Sequence, residues 1–234
     1  MEPTGSSVTE PSGSSVTEPS GSSVTGPSGS SVTEPNGAAV VDRRRMVALA
    51  GHADDEITAR SGLADPDASV RATALGALAR LGALADDDVA TYLADPAPGV
   101  RRRASELAAS RPSVAIGELL HDPDDSVVEM TAWSLGERGE RAAVAALSAL
   151  AAVESGHRDP LCREAAVAAL GAIGDPAGLP AVLAALEDKP AVRRRAAVAL
   201  AAFDGPPVEA ALHRCLEDRD WQVRQVAEDL LAVE

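Results

Sequence analysis

The chain repeats one pattern of apolar and polar positions six times. In the first copy, Val70 follows a turn rich in Asp and Pro, and small or apolar residues return at Ala74, Leu75, Leu78 and Leu81. At about 100° per residue these positions form one continuous stripe along a helix. The residues equivalent to Val70, which we call anchors, are Val70, Val100, Val127, Cys162, Val192 and Val223. Their spacings of 30, 27, 35, 30 and 31 residues predict stacked helical units rather than one globular core.

Each unit is predicted to be a pair of helices joined by a turn. Proline cannot continue a helix and disfavours helical geometry in the residue before it, so the Asp-Pro turns separate the two helices. The second helices begin around Ala68, Ala97, Asp125, Pro160, Pro190 and Trp221. The first helices cover residues 54–63, 88–95, 113–121, 141–154, 177–187 and 207–217, after a leading helix at 41–52. No stretch alternates with a period of two, so we predict an all-α fold without strands.

The first 39 residues differ in composition from the rest of the chain. They repeat a GSSVTEPS unit with a period of eight, and their main apolar residue is a single Val per unit. Such a segment cannot offset the entropy cost of ordering its backbone. We therefore predict a disordered tail at residues 1–39 and a repeat domain at residues 40–234.

Composition and charge narrow the classes of partner. Hydrophobic residues make up 45% of the chain but aromatic residues only 2%, which argues against a base-stacking surface for single-stranded nucleic acid. The formal net charge is −15, which opposes attraction to phosphate backbones and to anionic lipid. We expect no nucleic-acid partner and no membrane association. The start of the chain has no basic, apolar leader, so we expect a cytoplasmic protein.

An aspartate in the turn and an arginine after the anchor recur at similar separations. The pairs are Asp65/Arg71, Asp95/Arg101, Asp159/Arg163, Asp188/Arg193 and Asp218/Arg224. We interpret them as a structural ladder in which each arginine pairs with the turn aspartate of its own or the neighbouring unit. The third unit departs from the pattern because Val128 stands where the arginine is expected.

The repeated wording DPxxxVRxxAxxALxxLG over residues 54–233 resembles HEAT repeats, in particular the phycobilisome-lyase (PBS-lyase) HEAT-like type. The turn GAIGDPAGLP at residues 171–180 is similar to the inter-repeat turn of that family. The resemblance implies a right-handed α-solenoid whose second helices line a concave surface that usually binds proteins.

Enzymes with HEAT-like repeats provide alternatives to a binding role. Deoxyhypusine hydroxylase uses repeated His-Glu pairs to bind iron, whereas the four histidines here are followed by Ala53, Asp122, Arg158 and Arg214. We therefore expect no metal, no cofactor and no catalytic set. A chromophore-handling protein like the phycobilin lyases, and a nucleic-acid binder like the HEAT-type DNA glycosylases, stay open as alternatives.

The candidate binding residues lie on the outward face of the second helices, at 2, 3, 6 and 10 positions after each anchor. In the middle units these positions hold Glu129, Met130, Trp133, Glu137 and Glu164, with Arg102, Arg103, Arg194 and Arg195 on either side. A large ring on an exposed helix face is typical of a binding hot spot, so we predict a protein or peptide partner around Trp133. The alternative is that Trp133 packs against the next unit. We expect Trp221 to cover the C-terminal edge.

Overall fold

The computed structural model describes residues 35–232, and the predicted tail therefore lies outside the described residues up to position 34. Residues 35–39, which we had assigned to the tail, form the start of the first helix. Within the described range the chain forms twelve α-helices and five short 3-10 helices, and that range contains no strand. The predicted all-α solenoid is confirmed.

The helices alternate along the chain as first and second members of successive units. They are α1 (Pro35–Ala50), α2 (Glu56–Ser61), α3 (Ala68–Arg80), α4 (Asp86–Tyr92), α5 (Pro98–Ala108), α6 (Asp125–Glu137), α7 (Val144–Ala151), α8 (Pro160–Ile173), α9 (Leu179–Ala185), α10 (Pro190–Ala199), α11 (Pro206–Cys215) and α12 (Trp221–Leu231). The second helices of the six units are α3, α5, α6, α8, α10 and α12. Each begins where its turn and anchor predict.

The second helices begin at residues that suit a helix N-terminus. Asp67, Asp124, Asp159 and Asp220 each accept a hydrogen bond from the backbone N–H two residues ahead. These bonds satisfy donors that the helix itself leaves free. Proline occupies the first turn of α5, α8 and α10, where its missing N–H costs nothing.

The first helix of the third unit differs from its prediction. In place of a helix over residues 113–121, the chain forms a short 3-10 helix at Gly117–His121. This unit follows the shortest anchor spacing, 27 residues, which leaves too little chain for a full helix. The buried guanidinium of Arg138 donates hydrogen bonds to the carbonyl oxygens of Ala108 and Val114 at 2.6–2.9 Å, and so satisfies acceptors that a regular helix would have paired.

Small residues let the second helices approach closely. The anchors are buried, with Val70, Val100, Val127, Val192 and Val223 all 0% exposed. A Cβ atom added to Gly136 of α6 would lie 2.8 Å from the Cα of Ala169 in α8, and one added to Gly171 would lie 2.7 Å from the Cβ of Ala199 in α10. The Ala-rich composition therefore reflects backbones packed at short range.

The predicted ladder is present, and each arginine pairs with the turn aspartate of the following unit. Arg71 binds both carboxylate oxygens of Asp95 at 2.8 Å, and Arg163 binds those of Asp188 at 2.6 and 2.7 Å. The same arginines donate to backbone carbonyls of their own turn. We call each inter-unit pair a rung; the rungs are Arg43–Asp65, Arg71–Asp95, Arg101–Asp122, Arg163–Asp188 and Arg193–Asp218.

One rung is missing between the third and fourth units. Val128 of α6 is fully buried where the other units have an arginine. The predicted Asp159/Arg163 pair is wrong, because Asp159 caps α8 and Arg163 reaches Asp188 instead. The turn position that elsewhere holds the rung aspartate is His157, whose Nδ1 accepts the backbone N–H of Asp159 at 3.1 Å. Both partners of the rung are thus replaced together, which leaves no buried charge without a partner.

Candidate functional site

An open groove crosses the second helices of four successive units. It has a volume of about 790 Å³, and its lining comes from α5, α6, α8 and α10. We call it the Trp133 groove, and its lining residues are Glu106, Glu129, Met130, Trp133, Gly136, Glu137, Leu161, Glu164, Ala165, Ala168, Ala169, Ala172 and Arg195. The groove thus lies at the junction of α6 and α8, where the rung is missing.

Trp133 forms the centre of the α6 side of the groove. Its side chain is 43% exposed, so more than half of its surface is covered while part of the ring faces solvent. Glu129 and Glu137 lie one helical turn before and after it, and the spacing of four residues places all three side chains on one face of α6. Both glutamates are exposed. The α6 side therefore presents an aromatic ring between two carboxylates.

The α8 side of the groove consists mainly of small side chains. Ala165, Ala168, Ala169 and Ala172 line it, and Leu161 stands at its N-terminal end with 54% of its surface exposed. Alanine leaves little side-chain volume above the helix backbone, so an incoming chain can approach α8 closely. This side offers apolar contact area without competing polar groups.

Arg195 of α10 marks the far side of the groove. Its guanidinium lies 3.4 Å from a carboxylate oxygen of Glu164 on α8. Arg195, Ala168 and Ala172 also line a second, shallower groove between α8 and α10, which includes the exposed Val198. The apolar surface thus continues from Trp133 to the fifth unit.

The charge of the Trp133 groove is strongly one-sided. Four glutamates and one arginine line it. Glu164 pairs with Arg195, and Glu106 pairs with Arg103 at 2.7 Å. Within residues 35–232, Glu129 and Glu137 make no ion pair. Two carboxylates beside the exposed ring are consequently available to a ligand.

The structure brings together six of the nine candidate residues and separates the other three. Glu129, Met130, Trp133, Glu137, Glu164 and Arg195 all line the groove. Arg194 instead donates a hydrogen bond of 2.7 Å to the side chain of Gln222 on α12. Arg103 lies over Gly76 of α3 and pairs with Glu106, and Arg102 is exposed outside the groove lining.

Leu161 is a groove residue that we did not single out from the sequence. The signal was available, because the position just before the anchor holds Ser, Gly, Ser, Ala and Gln in the other five units. A large apolar side chain there departs from the repeat and points to solvent. Trp221, expected to cover the C-terminal edge, is 62% exposed and therefore covers little of it.

The thiol nearest the groove has no nucleophilic character. Cys162, the anchor of α8, is buried and its Sγ lies 3.3 Å from the backbone oxygen of Asp125. Burial, with a smaller contribution from Asp159, raises the pKa of Cys162 to about 12. A thiol with this pKa is not ionised at neutral pH and does not act as a nucleophile. Across residues 35–232, no group of three or more His, Cys, Asp or Glu side chains is arranged to hold a metal ion.

None of the helices between residues 35 and 232 combines the length and the apolar character needed to cross a bilayer.

Comparisons with known proteins place the chain among helical repeat proteins. Its structure is similar to that of the complex of CpcE and CpcF of phycocyanin lyase from Nostoc sp. PCC7120, with a TM-score of 0.55 and 26% identity over 75% of each chain. It is also similar to YibA of Escherichia coli, with a TM-score of 0.56 and 16% identity over 85% of this chain and 74% of that one. No curated protein sequence matches the chain significantly.

The family assignment rests on the sequence of the C-terminal half. The family model for HEAT repeats matches residues 112–191 and 152–232. The two matches overlap and together span residues 112–232, which is more than half of the 234-residue chain. The repeated anchors, the rungs and the paired helices described above are the physical features that this match reflects. The chain belongs to the HEAT-repeat family.

Proposed function

We propose that this chain is a non-enzymatic scaffold that binds a protein partner in the Trp133 groove. The observation that carries the proposal is the partly exposed Trp133 ring at the centre of a groove formed by four successive units. Tryptophan in a pocket is the residue type most enriched among interface hot spots. The surrounding alanines offer area for a partner and no chemistry for a reaction.

Affinity capture from an extract of the source organism tests the proposal. Wild-type chain and the Trp133→Ala variant are immobilised at equal density, and captured proteins are quantified by mass spectrometry. Truncation of a hot-spot residue costs about 2 kcal/mol or more, so we expect capture of the specific partner to fall roughly thirtyfold in affinity.

The matched control is Trp221→Ala. Trp221 is more exposed than Trp133, at 62% against 43%, and lies on α12 outside the groove lining. Its removal should leave capture unchanged. Equal capture by wild type and Trp133→Ala, with both variants folded by circular dichroism, would show that the groove is not the binding surface.

A second candidate function is the handling of a bilin pigment, because one similar structure is the CpcE–CpcF complex of phycocyanin lyase. The groove volume of about 790 Å³ is within the range of small-molecule sites. The charge argues against this candidate, since a bilin carries carboxylates and the groove presents Glu129 and Glu137 without counter-ions. A red or blue shift in the absorbance of a bilin mixed with the purified chain would favour it.

We also propose a cytoplasmic location. Cys162 and Cys215 are both buried and unpaired, and free thiols suit a reducing compartment. A fluorescent fusion expressed in the source organism tests this location, and signal confined to an extracytoplasmic compartment would contradict it.

A further inference from the structure

The arrangement around Trp133 specifies the chemistry of the partner more narrowly than a general binding surface does. This inference rests on the proposed function and concerns the same groove. Three features carry it: the partly exposed ring, the carboxylates on either side of it, and the alanine surface that faces it. Each of them selects for a different part of a ligand.

The ring and its two glutamates together suit a long cationic side chain. Lysine and arginine have apolar stems that cover aromatic surface, and their charged heads are attracted to the face of a Trp ring. Glu129 and Glu137 are each one turn from Trp133 on α6, and neither has an ion-pair partner within residues 35–232. A cation lying along the ring in either direction therefore reaches a free carboxylate.

The α8 side suits an apolar segment of backbone. Ala165, Ala168 and Ala172 present a smooth surface, and Leu161 adds an exposed apolar side chain at one end. From Glu129 to Glu137 the groove follows α6 for eight residues, or about 12 Å of helix. That length accommodates roughly two turns of an incoming helix.

The charge of the groove excludes two other occupants. Residues 1–34 of this chain contain Glu2, Glu10, Glu18 and Glu34 and no Lys or Arg, so the groove carboxylates repel them. A nucleic acid is repelled for the same reason, because its phosphates would face four glutamates and one arginine.

We propose that the Trp133 groove binds a basic amphipathic helix of a partner protein, with a Lys or Arg side chain across the Trp133 ring between Glu129 and Glu137 and apolar residues on the alanines of α8.

Synthetic peptides test the proposal on the full chain. The first probe is a helical peptide of about 14 residues, roughly four turns, with Leu and Ala on one face and Lys on the other. The second probe replaces every Lys by Glu, and the third is a peptide of residues 1–34. Fluorescence anisotropy of labelled peptides gives the affinities. We expect the Lys peptide to bind at least tenfold more tightly than either acidic probe.

Paired variants separate specific recognition from general attraction to an acidic protein. Glu129→Gln/Glu137→Gln removes two charges beside the ring, and Glu209→Gln/Glu228→Gln removes two exposed charges on α11 and α12. Both double variants have the same net charge. We expect the first to weaken the Lys peptide about tenfold and the second by less than twofold, whereas Trp133→Ala weakens it about tenfold.

The outcomes distinguish this inference from the proposed function. Equal losses in the two double variants, or equal binding of the Lys and Glu peptides, would overturn the basic partner. Binding of the peptide of residues 1–34 would overturn it in favour of the chain's own tail. If capture of a native partner still depends on Trp133 in those cases, the proposed function survives; if capture does not depend on Trp133, the proposed function itself fails.

Discussion

The junction between α6 and α8 and the junction between α8 and α10 differ in how they hold neighbouring units together. At the second, Arg163 and Asp188 form a bidentate ion pair with side chains that are 8% and 3% exposed. At the first, Val128 and His157 replace the pair, and no ionic rung links those turns. Both junctions have a glycine packed against an alanine of the next helix, at Gly136 and Gly171.

This difference shows that the ladder is one of two ways to join units. Where the rung is missing, α6 and α8 make the most extensive contact between any two helices in residues 35–232. Apolar packing therefore substitutes for the ion pair at that junction. The same junction carries the Trp133 groove on its inner face, so the unit that departs from the repeat in its structural positions also departs from it in its exposed ones.

The largest expected effect is the loss of half a rung at the α8–α10 junction. Arg163→Ala leaves Asp188 buried without its partner, and breaking a buried pair costs about 3–5 kcal/mol. Urea unfolding followed by circular dichroism measures the change. Arg158→Ala is the control, because its side chain is 81% exposed and we expect a change below about 0.5 kcal/mol. Similar losses for both variants would contradict a structural role for the rung.

A rung can be built at the α6–α8 junction to test whether the two junctions are equivalent. Val128→Arg alone places an unpaired charge at a fully buried site, so we expect a loss of several kcal/mol. His157→Asp supplies the missing acid, and the double variant should recover about 1–3 kcal/mol of that loss as a coupling energy. A coupling energy near zero would show that His157 does not occupy the rung position.

Close packing at the rungless junction is tested by Gly136→Ala. The added Cβ would lie 2.8 Å from the Cα of Ala169, so α6 and α8 must separate, and we expect a loss of about 1–3 kcal/mol. Gly117→Ala is the matched control, because nothing lies within 4 Å of its added Cβ. If Gly136→Ala is as stable as Gly117→Ala, the packing of this junction is looser than the structure indicates.

The smallest expected effect is a difference in acid sensitivity between the junctions. Hydrogen bonds from Arg71, Arg101 and Arg163 hold the pKa values of Asp95, Asp122 and Asp188 below their ordinary range. The folded state therefore binds fewer protons, and its stabilisation is present above the unfolded pKa of about 3.9 and is lost as the pH falls through the folded values.

Removing one rung should make the chain less sensitive to acid. In the variant Arg163→Met/Asp188→Leu, the slope of unfolding free energy against pH below about pH 4 should decrease by up to about 1.4 kcal/mol per pH unit. Urea unfolding at a series of pH values measures both slopes. Identical slopes would mean that Asp188 titrates alike in the folded and unfolded chain.

Most of the fold follows from local rules in the sequence. Anchors, Asp-Pro turns and N-capping aspartates recur in register, so the second helices were predicted to within a residue or two. The third first helix was not, because the short spacing before Val127 removes residues that only packing could show to be dispensable. Arg138 was missed for the same reason: its hydrogen bonds go to carbonyls 24 and 30 residues away.

The candidate site was only partly predictable. Helical periodicity identified Trp133 and its neighbouring glutamates as outward-facing, since those positions depend on α6 alone. It could not tell that Arg194 turns toward Gln222 while Arg195 turns toward Glu164, because adjacent side chains choose between neighbours on opposite sides of α10. Leu161 became part of the site only when α6 and α8 were brought together.

The sequence by itself determined the repeat, the helices and the residue types that pair, because these depend on local propensity and on a pattern repeated six times. The tertiary structure decided the direction of the pairing. An arginine has two aspartates at similar chain distances, and only the stacking of units places the carboxylate of the following turn beside its guanidinium while its own turn offers backbone carbonyls. The groove was decided in the same way, since its two sides lie on helices that the sequence separates by a 22-residue connection between Glu137 and Pro160.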